Sequence, residues 1–156
     1  MHLLFVCTGN TCRSPMAEAI ARAMVAERGI EDFVVSSAGT SAWDGSPASD
    51  PAVLVAMEHG MDLTSHRSRV LTREIVEQAD LVLVMGPHHL ERAVALKNGG
   101  KAHLLTEYAS RGASAAPVAD PFGGDLDAYR VTFNELHATI AQAMDRIADE
   151  RGAKGA

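Results

Sequence analysis

Cysteine is scarce in this chain. Only Cys7 and Cys12 occur among 156 residues, too few for a disulfide framework, and the expected compartment is a reducing cytoplasm. They are not spaced as a thioredoxin-type redox pair, and without a second cysteine pair they do not suit zinc. Positive charge is also in short supply. Against 20 Asp and Glu stand 14 Lys and Arg, a net charge of −6, which argues against nucleic acid as a partner. No apolar run reaches the roughly 18 residues of a membrane span, and the first residues lack a signal-peptide pattern, so no membrane association is expected. Internal repeats, linkers and low-complexity tracts are missing too. What remains is ordinary globular composition, 47% hydrophobic and 22% charged. That is enough chain to bury a core as one domain over residues 1–151, with a frayed tail at 152–156.

The opening Leu3-Leu4-Phe5-Val6 is a continuous apolar run, the mark of a strand buried on both faces. A loop follows, and Met16 to Arg28 then reads as a helix, with Ser14 as N-cap, Pro15 at the first helical position and Gly29 as the stop. Further strands are expected at Phe33–Ser37, Leu81–Met85 and Ala102–Leu105. Further helices are expected at Asp50–His59, Thr72–Gln78, Pro87–Leu96 and Leu126–Arg151, the last carrying Val131, Leu136, Ile140, Met144 and Ile147. Ser110 to Gly124 reads as a loop. Strands alternating with helices predict an α/β fold: a parallel sheet with right-handed crossovers, covered on both faces. Ligands of such sheets sit beyond the carboxyl ends of the strands, which is where the first loop lies.

That loop reads Cys7-Thr8-Gly9-Asn10-Thr11-Cys12-Arg13-Ser14. A strand-loop-helix turn of small residues can point successive backbone N–H groups into one concavity, a site for phosphate or a similar oxyanion. Gly9 and Asn10 tolerate the backbone conformations such a turn needs. No Gly-Lys-Ser/Thr follows, so this is not a nucleotide P-loop. Its cation is Arg13, whose planar fork can grip two phosphate oxygens. Taken alone, Cys7 at a strand end is as well read as a structural cysteine. With Arg13 and Ser14 in their spacing, the preferred reading is a nucleophile whose thiol is depressed from about 8.5 by its surroundings. His88 and His89 are expected to be solvated on a surface helix.

Cys, five residues, Arg and Ser-Pro near the start, together with Asp120-Pro121-Phe122 late in the chain, resemble the low-molecular-weight protein tyrosine phosphatases. The likeness extends through Ser37-Ala38-Gly39-Thr40, through Gly60 to Arg69, and through Ala79-Asp80. It implies a four-stranded parallel sheet flanked by helices, flavodoxin-like, and a cysteinyl-phosphate mechanism on phosphorylated proteins. It implies Cys7, Arg13 and Asp120 as catalytic residues, with Thr8, Gly9, Asn10, Thr11, Cys12 and Ser14 forming the phosphate-binding loop. Asp120 alone would read as a turn residue. The resemblance makes it the acid that protonates the leaving atom and the base that activates water. No metal or other cofactor is required, because Arg13 and the backbone neutralise the phosphoryl charge. The resemblance further assigns Asn10, Ser14, Ser37 and His66 to a network that supports the loop. It makes Cys12 a redox partner of Cys7, with simple packing as the other reading.

Substrate choice turns on Thr11, Trp43 and Phe122. Tyrosine-directed members tend to carry an aliphatic residue at position 11 and a second aromatic at position 123. Thr11 and Asp-Pro-Phe-Gly-Gly instead resemble the protein arginine phosphatases of the family. A guanidinium presents hydrogen-bond donors and suits a hydroxyl, whereas a phenyl ring wants apolar walls. Trp43 falls where tyrosine-directed members have an aromatic wall, though it can also stack on guanidinium. The reading is phosphoarginine, with phosphotyrosine as the alternative. An arsenate reductase of the same fold lacks its electron relay here, because no cysteine follows Cys12. A binding-only phosphate reader would not need Cys7, Arg13 and Asp120 together.

Overall fold

A computed structural model describes residues 1–97 and 100–155, the last three as backbone only. Four strands, β1 (His2–Cys7), β2 (Val34–Gly39), β3 (Leu81–Val84) and β4 (Ala102–Leu104), form one parallel sheet in the order β2-β1-β3-β4. Six helices accompany them: α1 (Arg13–Glu27), α2 (Asp50–Glu58), α3 (Arg73–Gln78), α4 (Pro87–Leu96), α5 (Leu105–Ala109) and α6 (Leu126–Gly155). The expected four-stranded α/β architecture is the one observed.

β1 shows why the sheet is covered on both sides. Its residues are buried throughout after His2 and divide alternately between two cores. Leu3, Phe5 and Cys7 join the larger core with Met16 and Ile20 of α1, and with Phe133, Leu136, Ile140 and Met144 of α6. Leu4 and Val6 join the smaller one, with Val76 of α3 and Ala93 of α4. The period of two therefore delivers the Cys7 side chain to the face carrying α1 and α6. The chain passes from β1 outward to β2 and then back across to β3, so the strand order reverses beside β1. At such a switch point the loops after β1 and β3 diverge and leave a crevice at the carboxyl ends of the strands.

Several local expectations are corrected. α1 starts at Arg13, three residues before Met16, with Cys12 in the N-cap position and no side-chain cap. Ser14 is inside the helix because its hydroxyl is engaged by Cys7 and Asn10. Gly29, at φ +63°, does stop the helix. β4 ends at Leu104, and Leu105, expected as the last strand residue, opens the five-residue helix α5. So short a helix shows no periodicity, yet Leu105 and Tyr108 are buried in the larger core. Val131 is exposed; Tyr129 and Phe133 carry the core face at that end of α6. α6 continues past Arg151 to Gly155, so the range read as a tail falls on the helix end, and Ala156 lies outside the described residues.

The register places Gly39, the last residue of β2, beside Cys7. A Cβ added there would overlap the Thr8 carbonyl oxygen and stand 2.9 Å from Asn10 N and 3.0 Å from Ala42 Cβ. Backbone cannot move aside as a flexible side chain can. Gly39→Ala is therefore expected to destabilise the fold by about 1–3 kcal/mol, measured by urea unfolding, and to impair turnover through the displaced loop. An unchanged unfolding midpoint would show that the loop yields freely.

Candidate active site

The loop after β1 is oriented by its carbonyl groups. Cys7 O accepts from Thr40 N at 2.9 Å, Thr8 O from Ser41 N at 3.0 Å, and Thr11 O from Ser49 N at 2.9 Å. Asn10 O accepts from the His66 ring at 2.8 Å. With these oxygens tied outward to flanking segments, the amides turn inward. Those of Gly9, Thr11 and Cys12 donate to no protein acceptor among the described residues. They form a concavity that asks for an anion. The left-handed residue of the turn is Asn10, at φ 56°, and not Gly9.

Asn10 can hold that conformation because its fully buried side chain is engaged at every polar atom. Nδ2 donates to Ser14 Oγ at 2.7 Å and to Ser37 Oγ at 2.9 Å, and Oδ1 accepts from the Arg69 amide at 3.0 Å. Ser37 in turn donates to Glu18 Oε1 at 3.0 Å. Ser14 Oγ, which accepts from Asn10, also shares a hydrogen bond with Cys7 Sγ at 2.9 Å, and can donate its proton to the sulfur when the thiol ionises. Asn10, Ser14, Ser37 and His66 are brought together by these contacts.

Cys7 is 2% exposed. Burial pushes its thiol up from the ordinary value; the Ser14 hydroxyl, backbone amides of Ser14 and Asn10, and the Arg13 guanidinium pull the other way. The expected depressed thiol is therefore not the balance reached. The stabilising groups are in place, and desolvation outweighs them.

Arg13 is also buried. Its Nη1 donates to Val118 O at 3.0 Å, and its Nη2 reaches Thr8 Oγ1 at 3.4 Å and Asp120 Oδ2 at 3.5 Å. Val118 N donates to Met85 O at 2.9 Å. Together these contacts anchor the Ser110–Gly124 loop over the cradle. Asp120 is half-exposed and accepts from Phe122 N at 3.0 Å. A cavity of about 210 Å³ opens here, with Cys7 and Arg13 on its floor side and Thr11, Asp120 and Phe122 around it. Trp43 does not line it. The indole is 85% exposed, and the Trp43 carbonyl is held by the Ser68 hydroxyl. Both cysteines are free, and Cys12 Sγ lies 3.2 Å from Tyr129 Oη and 3.5 Å from Ser49 Oγ.

This geometry has known counterparts. The family model of the low molecular weight phosphotyrosine protein phosphatases matches residues 2–153. The chain belongs to this family. It is 39% identical to a protein-arginine-phosphatase of Bacillus subtilis over 97% of this chain and 99% of that one. It is 36% identical to the low molecular weight protein-tyrosine-phosphatase PtpB of Staphylococcus haemolyticus, over 87% and 92%. Among solved structures, a YwlE arginine phosphatase mutant with a phosphorylated active-site serine superposes with a TM-score of 0.91 at 37% identity, covering 97% and 98%.

In this low molecular weight phosphatase His89 also departs from its expected place on the surface. His89 is fully buried, not solvated, and its Nε2 lies 2.8 Å from Thr8 Oγ1. Its Nδ1 is buried without a partner among the described residues. Orphaned N–H groups are rarer than orphaned acceptors, which favours the tautomer with the proton on Nε2, donating to Thr8. Thr8 then accepts from His89 and Arg13, and its own proton remains for the cavity it lines. The available clue was topological: His89 follows β3, on the other side of the crevice from the Cys7 loop. Tyr129, against Cys12, gave no comparable clue, being one apolar-face residue among many on α6.

Burial, aided by His88 and Arg13 and opposed by Asp120, lowers the His89 pKa to about 4. Above pH 6.5 His89 is neutral in both folded and unfolded states. Between 6.5 and 4 only the unfolded chain takes up the proton, so stability falls as pH falls. The loss from this group is on the order of a few kcal/mol across that window. His89→Gln is expected to flatten that part of the stability profile in pH-dependent denaturant titrations. An identical slope in the variant would place the titration elsewhere.

Proposed function

We propose that this phosphatase hydrolyses phosphoarginine in proteins, through a cysteinyl-phosphate intermediate. Thr11 carries the reading: its hydroxyl-bearing side chain is part of the wall of the Cys7 cavity, where a guanidino group would find a polar neighbour. Two further observations support it. Gly123, at φ +79°, follows Phe122 and leaves a single aromatic ring at the mouth. The relatives named as protein-arginine-phosphatases align over nearly the whole chain.

In the first step the phosphoryl group rests in the cradle, its oxygens held by the loop amides and the Arg13 fork. Cys7 first gives up its thiol proton to water, and as the thiolate that the loop amides and Arg13 favour it attacks phosphorus through Sγ; the P–N bond breaks, and its electron pair goes to the leaving guanidino nitrogen, which takes a proton from Asp120. A bound phosphoryl group supplies Arg13 with a new counter-charge and so frees Asp120 to hold that proton. In the second step Asp120 takes a proton from water, the oxygen attacks phosphorus, and the S–P bond breaks to return the Cys7 thiolate and release phosphate. Asn10, Ser14, Ser37 and His66 keep the cradle in shape. Cys12 serves in repair: a peroxide converts Cys7 to a sulfenic acid, and the Cys12 thiol displaces water from it to form a disulfide that thiols can reduce.

Asp120→Ala is expected to slow turnover by about 10²–10⁴-fold. The loss should be smaller for aryl phosphates with good leaving groups, which need little protonation. Equal losses across leaving groups would reduce Asp120 to a shaping role.

The substrate assignment is tested by specificity constants for phosphoarginine and phosphotyrosine peptides on wild type and Thr11→Ile. Wild type is expected to favour phosphoarginine. The variant should lose about 10–10²-fold on it through the missing hydroxyl and the added bulk, with a smaller gain on phosphotyrosine. A wild type that prefers phosphotyrosine, or an unchanged ratio, would overturn the phosphoarginine reading and leave the phosphatase in place.

A further inference from the structure

A larger cavity, about 600 Å³, lies behind the phosphate loop between α1, the end of β2 and residues 60–69, and shares no lining residue with the catalytic one. Three arginines border it, and their situations differ. Arg22 is fully engaged, by Glu18 Oε2 at 3.2 Å and by the Val35 carbonyl through Nε and Nη2. Arg67 is exposed and uses one Nη on the carbonyls of His66 and Thr64, at 2.7 and 3.4 Å. Arg69 is half-buried and donates only through Nε, to Ser37 O at 2.9 Å.

Neither Arg67 nor Arg69 has a carboxylate partner among the described residues. The acidic groups of the cavity are already committed. Glu18 serves Arg22 and Ser37, and Asp62 accepts from the Thr64 amide at 2.8 Å and hydroxyl at 2.6 Å. A half-buried guanidinium without a counter-ion has lost hydration and gained no charge in return. In a chain with six more acidic than basic side chains, two unpaired cations over one hollow form a local reversal of sign. The volume falls within the range of small-molecule pockets and well above that of a single ion.

We propose that this second cavity binds a small organic anion, its phosphate or carboxylate oxygens held by Arg67 and Arg69. Ser65, on the same wall, supplies a hydroxyl without a protein partner among the described residues. The site reaches the catalytic loop through Arg69, whose amide donates to Asn10 Oδ1 and whose Nε holds the Ser37 carbonyl. An anion that fixes the Arg69 side chain therefore steadies the residue on which the Asn10 amide depends.

Backbone amide NMR of the full chain reads both cavities in one titration, because residues 8–13 report on the catalytic loop and residues 60–69 on the second site. The probes are pyrophosphate and citrate, with polyglutamate as a polymeric control, in separate titrations. Saturable shifts in residues 60–69 with either probe are expected, and the probe that gives them tells phosphate from carboxylate chemistry. Arg67→Ala should weaken that response by about tenfold and Arg67→Glu by more, through the lost charge-assisted bonds. Pyrophosphate shifts in residues 8–13 should survive both changes. Shifts confined to residues 8–13, or a response at 60–69 indifferent to both substitutions, would overturn the proposal. So would a response at 60–69 to polyglutamate alone, which would make the surface one for acidic polypeptides. None of these outcomes bears on the phosphoarginine assignment, which rests on turnover.

Discussion

The active site depends on one buried amide. Asn10 sits at a left-handed position that most residues avoid, and its side chain is the clamp that holds it there. Its two polar side-chain atoms reach three parts of the chain: Nδ2 meets α1 through Ser14 and β2 through Ser37, and Oδ1 meets the segment after α2 through Arg69. A buried polar group satisfied on all sides fixes geometry, because any alternative conformation leaves several partners unpaired at once. The outward carbonyls and inward amides of the phosphate loop follow from that constraint. So does the position of the Ser14 hydroxyl beside the Cys7 sulfur.

These contacts lie wholly within the protein and fix the shape of the loop. Donors held in this way need no reorganisation when charge develops beside them, which is the main source of stabilisation in phosphoryl transfer. The cost falls on Cys7. Its thiol lies so deep that desolvation prevails over the dipoles aimed at it. A buried thiol is sheltered from adventitious oxidants, and the same amides and guanidinium favour its charged form when a reaction calls on it.

The candidate catalytic residues drew attention in the sequence for different reasons: Cys7 and Arg13 bracket a short strand-to-helix turn of small residues, whereas Asp120 was marked only by the family resemblance. The strands were legible because β1 and β3 are unbroken apolar runs. What failed was whatever depends on which of several competent groups wins a contact. Ser14 is a good N-cap by type, but Cys7 and Asn10 claimed its hydroxyl. His89 looked polar and helical, hence solvated, until strand order put the start of α4 against Thr8. Trp43 matched an aromatic wall by position along the chain, yet its ring points to solvent.

Phe122 leaves a ring 76% exposed at the rim of the pocket, next to the half-exposed carboxyl of Asp120. A ligand seated only in the cradle leaves that ring bare, whereas a polypeptide running past the rim can cover it. Covering a phenylalanine side chain stabilises a complex by about 1.5–3 kcal/mol, equivalent to roughly one to two decades in affinity. A single exposed ring thus biases the enzyme toward modified proteins over the pool of low-molecular-weight phosphocompounds, a sorting that requires no recognition of sequence.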